Sequence, residues 1–271
     1  MACDYATIRP TCLRKVAAEL HGSEEAVLAA LLSMRVGTAD QIARAVFVHA
    51  DPKTAQRLAH RFLRRLATKK LVRRFPNTAP VLKPGPRGSV YVLTAGGERL
   101  VTPLHRSVKP QRTAWQPSAS KLAHWLAIGE IYTRLVEQAQ SGGPKVFKFL
   151  TEGAAKRTFA DAGGRRRFLR PDALVRLIAD DMEISWFLEI DRGTEGLAVI
   201  DRKCRAYRDY DISGCEHARY GVFPAVLFIA PDKHRANNIA RVIATQPADS
   251  RNIFAVATEA DAITKITSTE P

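Results

Sequence analysis

Two apolar runs of strand length, FLRPDALVRLIA and EISWFLEID, lie on either side of the acidic pair Asp180-Asp181. Apolar runs that are separated by two turn-forming residues are typical of an antiparallel β-hairpin. If Asp180 and Asp181 form the turn, the numbers of directly paired residues sum to 361. The pattern therefore predicts the register of the hairpin, and with it the face to which each side chain points.

This register places three carboxylates on one face of the hairpin, near its open end. Asp172 lies opposite Glu189, and directly opposed residues have β-carbons roughly 4.5–5.5 Å apart on the same face. Asp191 follows Glu189 by two residues and points to that face too. Carboxylates this close repel one another unless a proton or a cation lies between them, and clustered oxygens suit Mg²⁺ or Mn²⁺. The pattern predicts that these three residues bind a metal ion, which could orient water for the cleavage of a phosphodiester.

The distribution of charge points to a polyanion as the binding partner. The 271 residues carry a formal net charge of +15, and the pI is about 10.0. Residues 1–115 hold 20 Lys and Arg against 7 Asp and Glu, whereas residues 116–271 hold 22 against 20. The polyanion-binding surface is therefore expected mainly in the first part of the chain.

The first part has the pattern of a winged helix-turn-helix. Three segments have helical spacing and a capping residue at or near the start, which is Ser23, Thr38 or Asp51: SEEAVLAALLSM, GTADQIARAVFV and DPKTAQRLAHRFLRRLATKK. They are followed by two predicted strands and the Pro/Gly-rich loop that joins them: LVRRF, SVYVLT and PNTAPVLKPGPRG. Three helices and a hairpin with a basic tip predict a unit that binds duplex DNA.

The third of these helices has one apolar side and one basic side. Leu58, Phe62, Leu63 and Leu66 fall together at 100° per residue, and no acid occurs between Asp51 and Glu98. Three arginines are predicted to read bases: Arg57, Arg61 and Arg64. Six further residues are predicted to contact phosphates: Lys53, Arg65, Lys69, Lys70, Lys83 and Arg87. The alternative interpretation is that this stripe is only a solvated helix face, although such a face usually mixes both signs of charge.

The second part has the element order of a restriction-endonuclease-like core. Its segments read as helix, strand, the two strands of the hairpin, helix, strand, helix and strand: SKLAHWLAIGEIYTRLVEQAQ, KVFKFLTE, FLRPDALVRLIA, EISWFLEID, TEGLAVIDRKCRAYRDY, AVLFIA, DKHRANNIARVIATQ and NIFAVAT. The order is αβββαβ with an extra helix and strand, in a chain of α+β or α/β class. We predict a winged-helix domain over 1–102, a linker over 103–118 and a nuclease-like domain over 119–271.

Two resemblances follow from these motifs. The hairpin resembles the motif of the PD-(D/E)xK nucleases at Pro171, Asp172 and Glu189. The winged helix followed by LAHWLAIGEIY, RPDA, FLEIDRGTE and KCRAYRDY resembles the replication-relaxation family, from about Ser23 to Tyr210. The family resemblance implies a DNA-associated role in plasmid replication, relaxation or mobilisation. Analogy with the nuclease fold adds Glu130 and Glu152 as candidate metal ligands.

One position departs from the nuclease pattern and leaves the enzymatic question open. A PD-(D/E)xK enzyme has lysine two residues after the glutamate, where this chain has Asp191 followed by Arg192. That lysine activates the attacking water, which an aspartate cannot do. Either Arg192 or Lys203, which lies on the following helix, could replace it. Lys203, Tyr207 and Tyr210 are spaced i, i+4, i+7 and share one face of that helix.

Three functions are consistent with these patterns. The first is a DNA-binding accessory protein of a plasmid or mobile element, whose second domain contacts DNA or a partner such as a relaxase or replication initiator. The second is an active Mg²⁺-dependent endonuclease or nickase that uses Asp172, Glu189 and Asp191 as ligands and Lys203 as the base. The third is a transcriptional regulator whose α/β part dimerises or senses. Dimerisation on two half-sites is common among winged-helix proteins.

Cysteine usage and hydropathy bear on the compartment. Cys3, Cys12, Cys204 and Cys215 form no CxxC pair, which is typical of free thiols in a reducing compartment. The longest apolar run, AVLAALLSM, has 9 residues and is too short to span a bilayer. The N-terminal residues also lack the apolar stretch of a signal peptide. We therefore expect a cytoplasmic protein with no membrane partner.

Overall fold

A computed structural model describes residues 19–75, 89–101, 118–161, 163–179 and 182–268 of the chain. The predictions for Lys83, Arg87, the Asp180-Asp181 turn and nearly all of the 103–118 linker lie outside these residues. The chain is of mixed α+β class and divides into two compact units, residues 1–140 and 141–271. Among the described residues, no helix has both the length and the apolar composition needed to cross a bilayer.

The first unit combines five helices with a three-stranded antiparallel sheet in the part of it that is described. The elements are α1 (Gly22–Met34), β1 (Val36–Thr38), α2 (Ala39–Val46), α3 (Pro52–Thr68), β2 (Val72–Phe75), β3 (Val90–Leu93), α4 (Ala95–Val101) and α5 (Ala119–Gln140). The strand order is β1-β3-β2. Strand β1 could not be predicted, because three residues between two helices are too short to show a strand pattern. The predicted strands LVRRF and SVYVLT agree with β2 and β3 to within a residue at each end.

Two of the three predicted helix caps of the first unit are confirmed. The Thr38 hydroxyl accepts from the Gln41 N–H at 3.1 Å, and the Asp51 carboxylate accepts from the Thr54 N–H at 3.1 Å. The prediction of Ser23 as the cap of α1 is wrong. The helix begins at Gly22 with His21 as its N-cap, and the Glu24 carboxylate accepts from the His21 N–H at 3.1 Å.

Helix α5 packs within the first unit. The guanidinium of Arg44 on α2 lies 2.8 Å from the Glu130 carboxylate and 2.7 Å from the Glu137 carboxylate, both on α5. The Gln41 side chain also donates to the Leu126 carbonyl at 3.0 Å. Because these polar contacts join α5 to α2, this helix belongs to the compact unit that ends at Gln140, whereas the sequence predicts a nuclease-like domain that begins at residue 119.

The second unit is built on a five-stranded mixed sheet. Its elements are β4 (Lys145–Thr151), α6 (Glu152–Ala155), β5 (Arg157–Ala160), β6 (Arg166–Leu169), β7 (Ala173–Ala179), β8 (Met182–Ile190), α7 (Leu197–Ile212), α8 (Cys215–Tyr220), β9 (Ala225–Ala230), α9 (Lys233–Ala244), a 3₁₀ helix (Ala248–Ile253), β10 (Phe254–Thr258) and α10 (Ala262–Thr267). The strand order is β10-β9-β8-β7-β4. Strands β8, β9 and β10 run parallel, whereas β7 is antiparallel to both β8 and β4.

The predicted hairpin register is confirmed on both sides of the turn. Ala179 pairs with Met182 and Ala173 pairs with Leu188, so the numbers of paired residues sum to 361. The opposite face of β8 is covered by α10, where the Ile266 carbonyl accepts from the Trp186 indole at 3.1 Å. The register holds because one face carries a packed apolar set, and a slip of one residue would expose it.

Two local predictions in the second unit need correction. The run FLRPDALVRLIA is not one strand, because it divides into the end of β6 and the whole of β7 with Pro171 between them. Proline has no N–H to donate to a ladder, which makes it a natural break. The predicted helical segment TEGLAVIDRKCRAYRDY also starts too early, since α7 begins at Leu197 with Gly196 as its N-cap.

Candidate functional site

Helix α3 separates its apolar and basic residues as the sequence predicted. Phe62, Leu63 and Leu66 are buried, and Leu58 packs partly buried against the same core. Six basic residues of the helix and its C-terminal end are exposed: Lys53, Arg57, Arg61, Arg64, Arg65 and Lys70. The helix therefore presents a face of positive charge that its own fold does not bury.

Two of the predicted phosphate contacts are engaged by a buried carboxylate. Glu24 is fully buried, and its carboxylate lies 3.1 Å from the Lys69 ammonium and 3.4 Å from the Arg65 guanidinium. Burial opposes ionisation of Glu24, but the His21 N–H and Lys69 together lower its pKa. Lys69 and Arg65 therefore help to neutralise a charge inside the first unit, a role that their sequence pattern does not predict.

The three arginines predicted to read bases sit differently on the exposed face. The Arg57 guanidinium donates to the Thr54 hydroxyl at 2.9 Å, in the first turn of α3. The Arg61 guanidinium lies 5.0 Å from the centre of the Phe62 ring, and Arg64 is exposed one turn further on. All three are at the surface, where an α-helix in a DNA groove would present them.

Asp172 and Glu189 come together at the open end of the β7–β8 hairpin. The Asp172 N–H donates to the Leu188 carbonyl at 3.1 Å, and the Asp172 carboxylate accepts from the Ile190 N–H at 2.8 Å. These bonds on either side of Glu189 hold the two acids next to each other. Glu189 is 3 % exposed, so its carboxylate depends on protein partners.

Helix α7 supplies those partners. The Glu189 carboxylate accepts from the Tyr207 hydroxyl at 2.6 Å and lies 3.0 Å from the Lys203 ammonium. The same ammonium lies 2.8 Å from the Glu195 carboxylate, in the loop before α7. Lys203 and Tyr207 share a face because they are one turn apart. The structure therefore brings Lys203 to Asp172 and Glu189, as the spacing had suggested.

Asp191 does not join this pair in a metal-binding group. Its carboxylate accepts from the Arg235 guanidinium of α9 at 2.6 Å and from the Gly193 N–H. Within the described residues, no group of three His, Cys, Asp or Glu side chains is placed to hold a metal ion. The three carboxylates therefore do not converge as expected, because the Asp191 carboxylate is bound by Arg235.

The two further candidate ligands lie in different places. Glu130 is in the first unit, where its carboxylate pairs with Arg44. Glu152 begins α6 next to the hairpin, and its N–H donates to the Asp172 carbonyl at 3.4 Å. Of the two, Glu152 is the one that the backbone holds beside Asp172.

The family of the chain follows from a comparison with protein-family models. The model of the replication-relaxation family matches residues 28–226, nearly three quarters of the chain. The chain belongs to the replication-relaxation family. The match includes α3 and the paired acids of the hairpin, and it ends before α9. No curated protein and no solved structure matches the chain.

Protonation in this replication-relaxation protein is strongly perturbed around Glu189. Burial and the neighbouring charge of Asp172 raise the pKa of Glu189 to about 7, although Lys203 and Tyr207 act in the opposite direction. Burial alone would lower the pKa of Lys203, but the carboxylates of Glu189 and Glu195 raise it well above its usual range. Lys203 is therefore a permanent cation beside a carboxylate that titrates near neutral pH.

The raised pKa of Glu189 makes stability depend on pH. In the unfolded chain this group titrates at its ordinary value near 4.5, so between about pH 4.5 and 7 the folded state holds more protons. Stability from this group is therefore present at low pH and is lost as pH rises through 7. Glu189→Gln cannot ionise, and its free energy of unfolding relative to wild type should increase by roughly 2 kcal/mol from pH 5 to pH 8.

Urea unfolding of both proteins at the two pH values measures this difference. A difference that is the same at pH 5 and at pH 8 would show that Glu189 is ionised throughout, with Lys203 outweighing burial.

Sequence reasoning missed Arg235 and Glu195 as parts of this site. A buried aspartate at a strand end needs a cation, but the sequence does not say which one, and Arg235 comes 44 residues after Asp191. The predicted helical segment begins at Thr194 and places Glu195 in its first turn, whereas in the structure Glu195 lies in the loop before α7. The only available signal was a group of charged residues after the hairpin.

Proposed function

We propose that this replication-relaxation protein is a DNA-binding accessory protein of a plasmid or another mobile element. It acts in replication, relaxation or mobilisation, with α3 reading duplex DNA. The observation that carries the proposal is the exposed basic face of α3 opposite its buried apolar face. A helix face with no acid on it is suited to the negative potential of a DNA groove.

The order of elements in the first unit supports a winged helix-turn-helix as the DNA-binding module. Helix α3 precedes the β2–β3 hairpin, and β1 completes a three-stranded sheet beside the helices. In modules of this kind the recognition helix enters the major groove, and the wing contacts phosphate or the minor groove. Lys83 and Arg87 remain predicted phosphate contacts of the wing.

The surroundings of the basic residues suggest a division of roles. Arg57, Arg61 and Arg64 suit base recognition, because guanidinium groups bind guanine edges in the major groove with two hydrogen bonds. Lys53 and Lys70 suit phosphate contacts near the two ends of α3. Lys69 and Arg65 would contribute less, because Glu24 already balances part of their charge.

Titration of a labelled DNA duplex with the wild-type protein tests this proposal. The expected result is binding that weakens steeply as the salt concentration rises, since phosphate contacts release counterions.

A metal-dependent endonuclease or nickase is the second candidate, and the position of Lys203 favours it. In the sheet, β4, β7, β8 and β9 lie side by side in the same order as in the chain. This arrangement supports an αβββαβ nuclease-like core. The motif acids would be Asp172 and Glu189. Lys203 lies 3.0 Å from Glu189 and would supply from α7 the cation that is missing at Asp191.

The donor chemistry of the paired acids fits a hard divalent cation. Asp172 and Glu189 present carboxylate oxygens side by side, and the charge of Asp172 opposes ionisation of Glu189. These two residues would hold Mg²⁺ or Mn²⁺. Asp191 is not part of this proposal, because Arg235 holds its carboxylate. A bound Mg²⁺ would polarise water and stabilise the charge that builds on a phosphodiester.

Lys203 would act in such a reaction as a fixed positive charge and not as a base. The carboxylates beside it raise its pKa, so the ammonium keeps its proton at neutral pH. An ammonium held at a set position stabilises negative charge that develops on a phosphoryl oxygen. This differs from the role of base that the motif alone suggested.

The partners that this function requires are proposals as well. The second unit would contact DNA or a partner protein such as a relaxase or a replication initiator, and two copies of the chain would occupy paired half-sites.

A further inference from the structure

A second group of charged residues lies on the same face of the sheet, around the middle of β7. Arg176 is 8 % exposed, and it pairs across the strands with Lys148 of β4. Directly opposed residues of an antiparallel pair point to the same face, and like charges in this position destabilise a sheet. The fold therefore holds two cations together at a cost, which requires an explanation.

The guanidinium of Arg176 is also incompletely paired. Its Nε and Nη2 atoms are buried and have no hydrogen-bond partner, whereas Nη1 lies 3.2 Å from the exposed Glu183 carboxylate. The buried carboxylate nearby, Glu216, lies 3.9 Å from Nη2 and is already bound by Arg157 at 2.6 and 3.1 Å. The Tyr210 hydroxyl donates to Glu216 as well. Buried donors left unpaired are rare and costly, which points to a missing acceptor.

Helix α8 adds further positive charge at this place. The Tyr220 ring has three guanidinium groups around it, with Arg176 at 4.6 Å, Arg219 at 5.1 Å and Arg157 at 5.6 Å from its centre. Burial and the charges of Arg176, Arg157 and Arg219 lower the pKa of Lys148. Four cations therefore lie close to only two carboxylates, which leaves an excess of positive charge around the unpaired donors of Arg176. The cations are Lys148, Arg157, Arg176 and Arg219, and the carboxylates are Glu183 and Glu216.

We propose that Arg176, Lys148 and Arg219 form a binding site for a phosphate group. Phosphate oxygens would accept from the Nε and Nη2 atoms of Arg176, whose planar fork matches two oxygens of one phosphate. Lys148 would add a point charge from β4, and the exposed Arg219 would close the site from α8. The phosphate belongs either to a DNA backbone or to a free phosphate compound. This site does not depend on DNA binding by α3, because it lies wholly in the second unit.

Thermal unfolding with inorganic phosphate as the probe tests the site. The melting temperature of the full-length protein should rise with phosphate concentration, beyond the effect of potassium chloride at equal ionic strength. Arg176→Met keeps the volume of the side chain and removes the unpaired donors, and Lys148→Met removes the opposed charge. In each variant the apparent dissociation constant for phosphate should weaken about tenfold or more.

Lys233→Met is the matched control, because Lys233 is an exposed lysine on α9 of the same unit. It should respond to phosphate as wild type does. The proposal is overturned if phosphate does no more than chloride, or if both cluster variants keep the full response. If Arg176→Met fails to fold, the surface-nearer Lys148→Met still decides the question.

A duplex titration over a range of salt identifies the source of the phosphate. If it comes from DNA, Lys148→Met should reduce the slope of log affinity against log salt by about 1. If the slope is unchanged while the response to inorganic phosphate is lost, the site binds a free phosphate compound. Variants of α3 that lose DNA binding should keep the response to inorganic phosphate. Failure of the phosphate site can therefore be distinguished from failure of DNA binding by α3.

Discussion

Replacing Arg61 and Arg64 together by alanine is expected to weaken the binding of a specific DNA duplex by about 100-fold or more. Both arginines are on the exposed face of α3, and each arginine that binds a base edge with two hydrogen bonds contributes about 1–3 kcal/mol. The fold should be unaffected, because the buried side of the helix is unchanged. Fluorescence anisotropy of a labelled duplex measures the loss.

Two matched variants separate base recognition from general attraction. Lys233→Ala with Arg241→Ala removes the same charge from exposed positions of α9 and should leave affinity within a few-fold of wild type. Arg61→Lys with Arg64→Lys keeps the charge and loses the planar fork, so it should retain nonspecific binding and lose sequence preference. Equal losses in the α3 and α9 alanine variants would contradict a recognition role for α3.

The second large effect concerns cleavage. If the second unit is a nuclease, wild-type protein with Mn²⁺ or Mg²⁺ should nick supercoiled plasmid, and Glu189→Ala should be inactive. Lys203→Met should lower the rate about 100-fold or more, because it removes a fixed positive charge from the reacting phosphate. Gel separation of supercoiled, nicked and linear plasmid gives the rates.

Lys203→Arg and Arg192→Met provide the controls. Lys203→Arg keeps the charge next to Glu189 and should retain part of the activity. Arg192→Met tests whether Arg192, the cation that directly follows the hairpin, supplies that charge instead. Full activity in Lys203→Met would refute the role of α7. No cleavage by the wild type, with DNA binding retained, would leave the paired acids as a scaffold and favour the accessory-protein function alone.

The hairpin could be predicted from the sequence, because local rules determine it. Two apolar runs and a two-residue connection allow one register that buries the apolar set, and Ala173 pairs with Leu188 as this register requires. The approach of Asp172 to Glu189 follows from the same arithmetic. Helical spacing also offered Lys203, on the same face as Tyr207, as a cation for this site, although the sequence left Arg192 as an alternative.

Long-range partners could not be predicted in the same way. Arg235 reaches Asp191 from a helix 44 residues later, and nothing local selects it over other arginines. The packing partner of helix α5 could not be predicted either. Its amphipathic pattern indicates that one face is buried, but not which unit buries it. Arg44 and Gln41 of α2 decide that question through contacts about 90 residues apart in the chain.

The measurement that tests the central claim most directly is the affinity of the wild-type protein for a labelled DNA duplex at 50 and 200 mM salt. A basic face of α3 that neutralises about four phosphates predicts salt-sensitive binding, with affinity falling about 100-fold between these two concentrations. Binding that is absent at 50 mM, or that does not change with salt, would contradict DNA recognition by this helix.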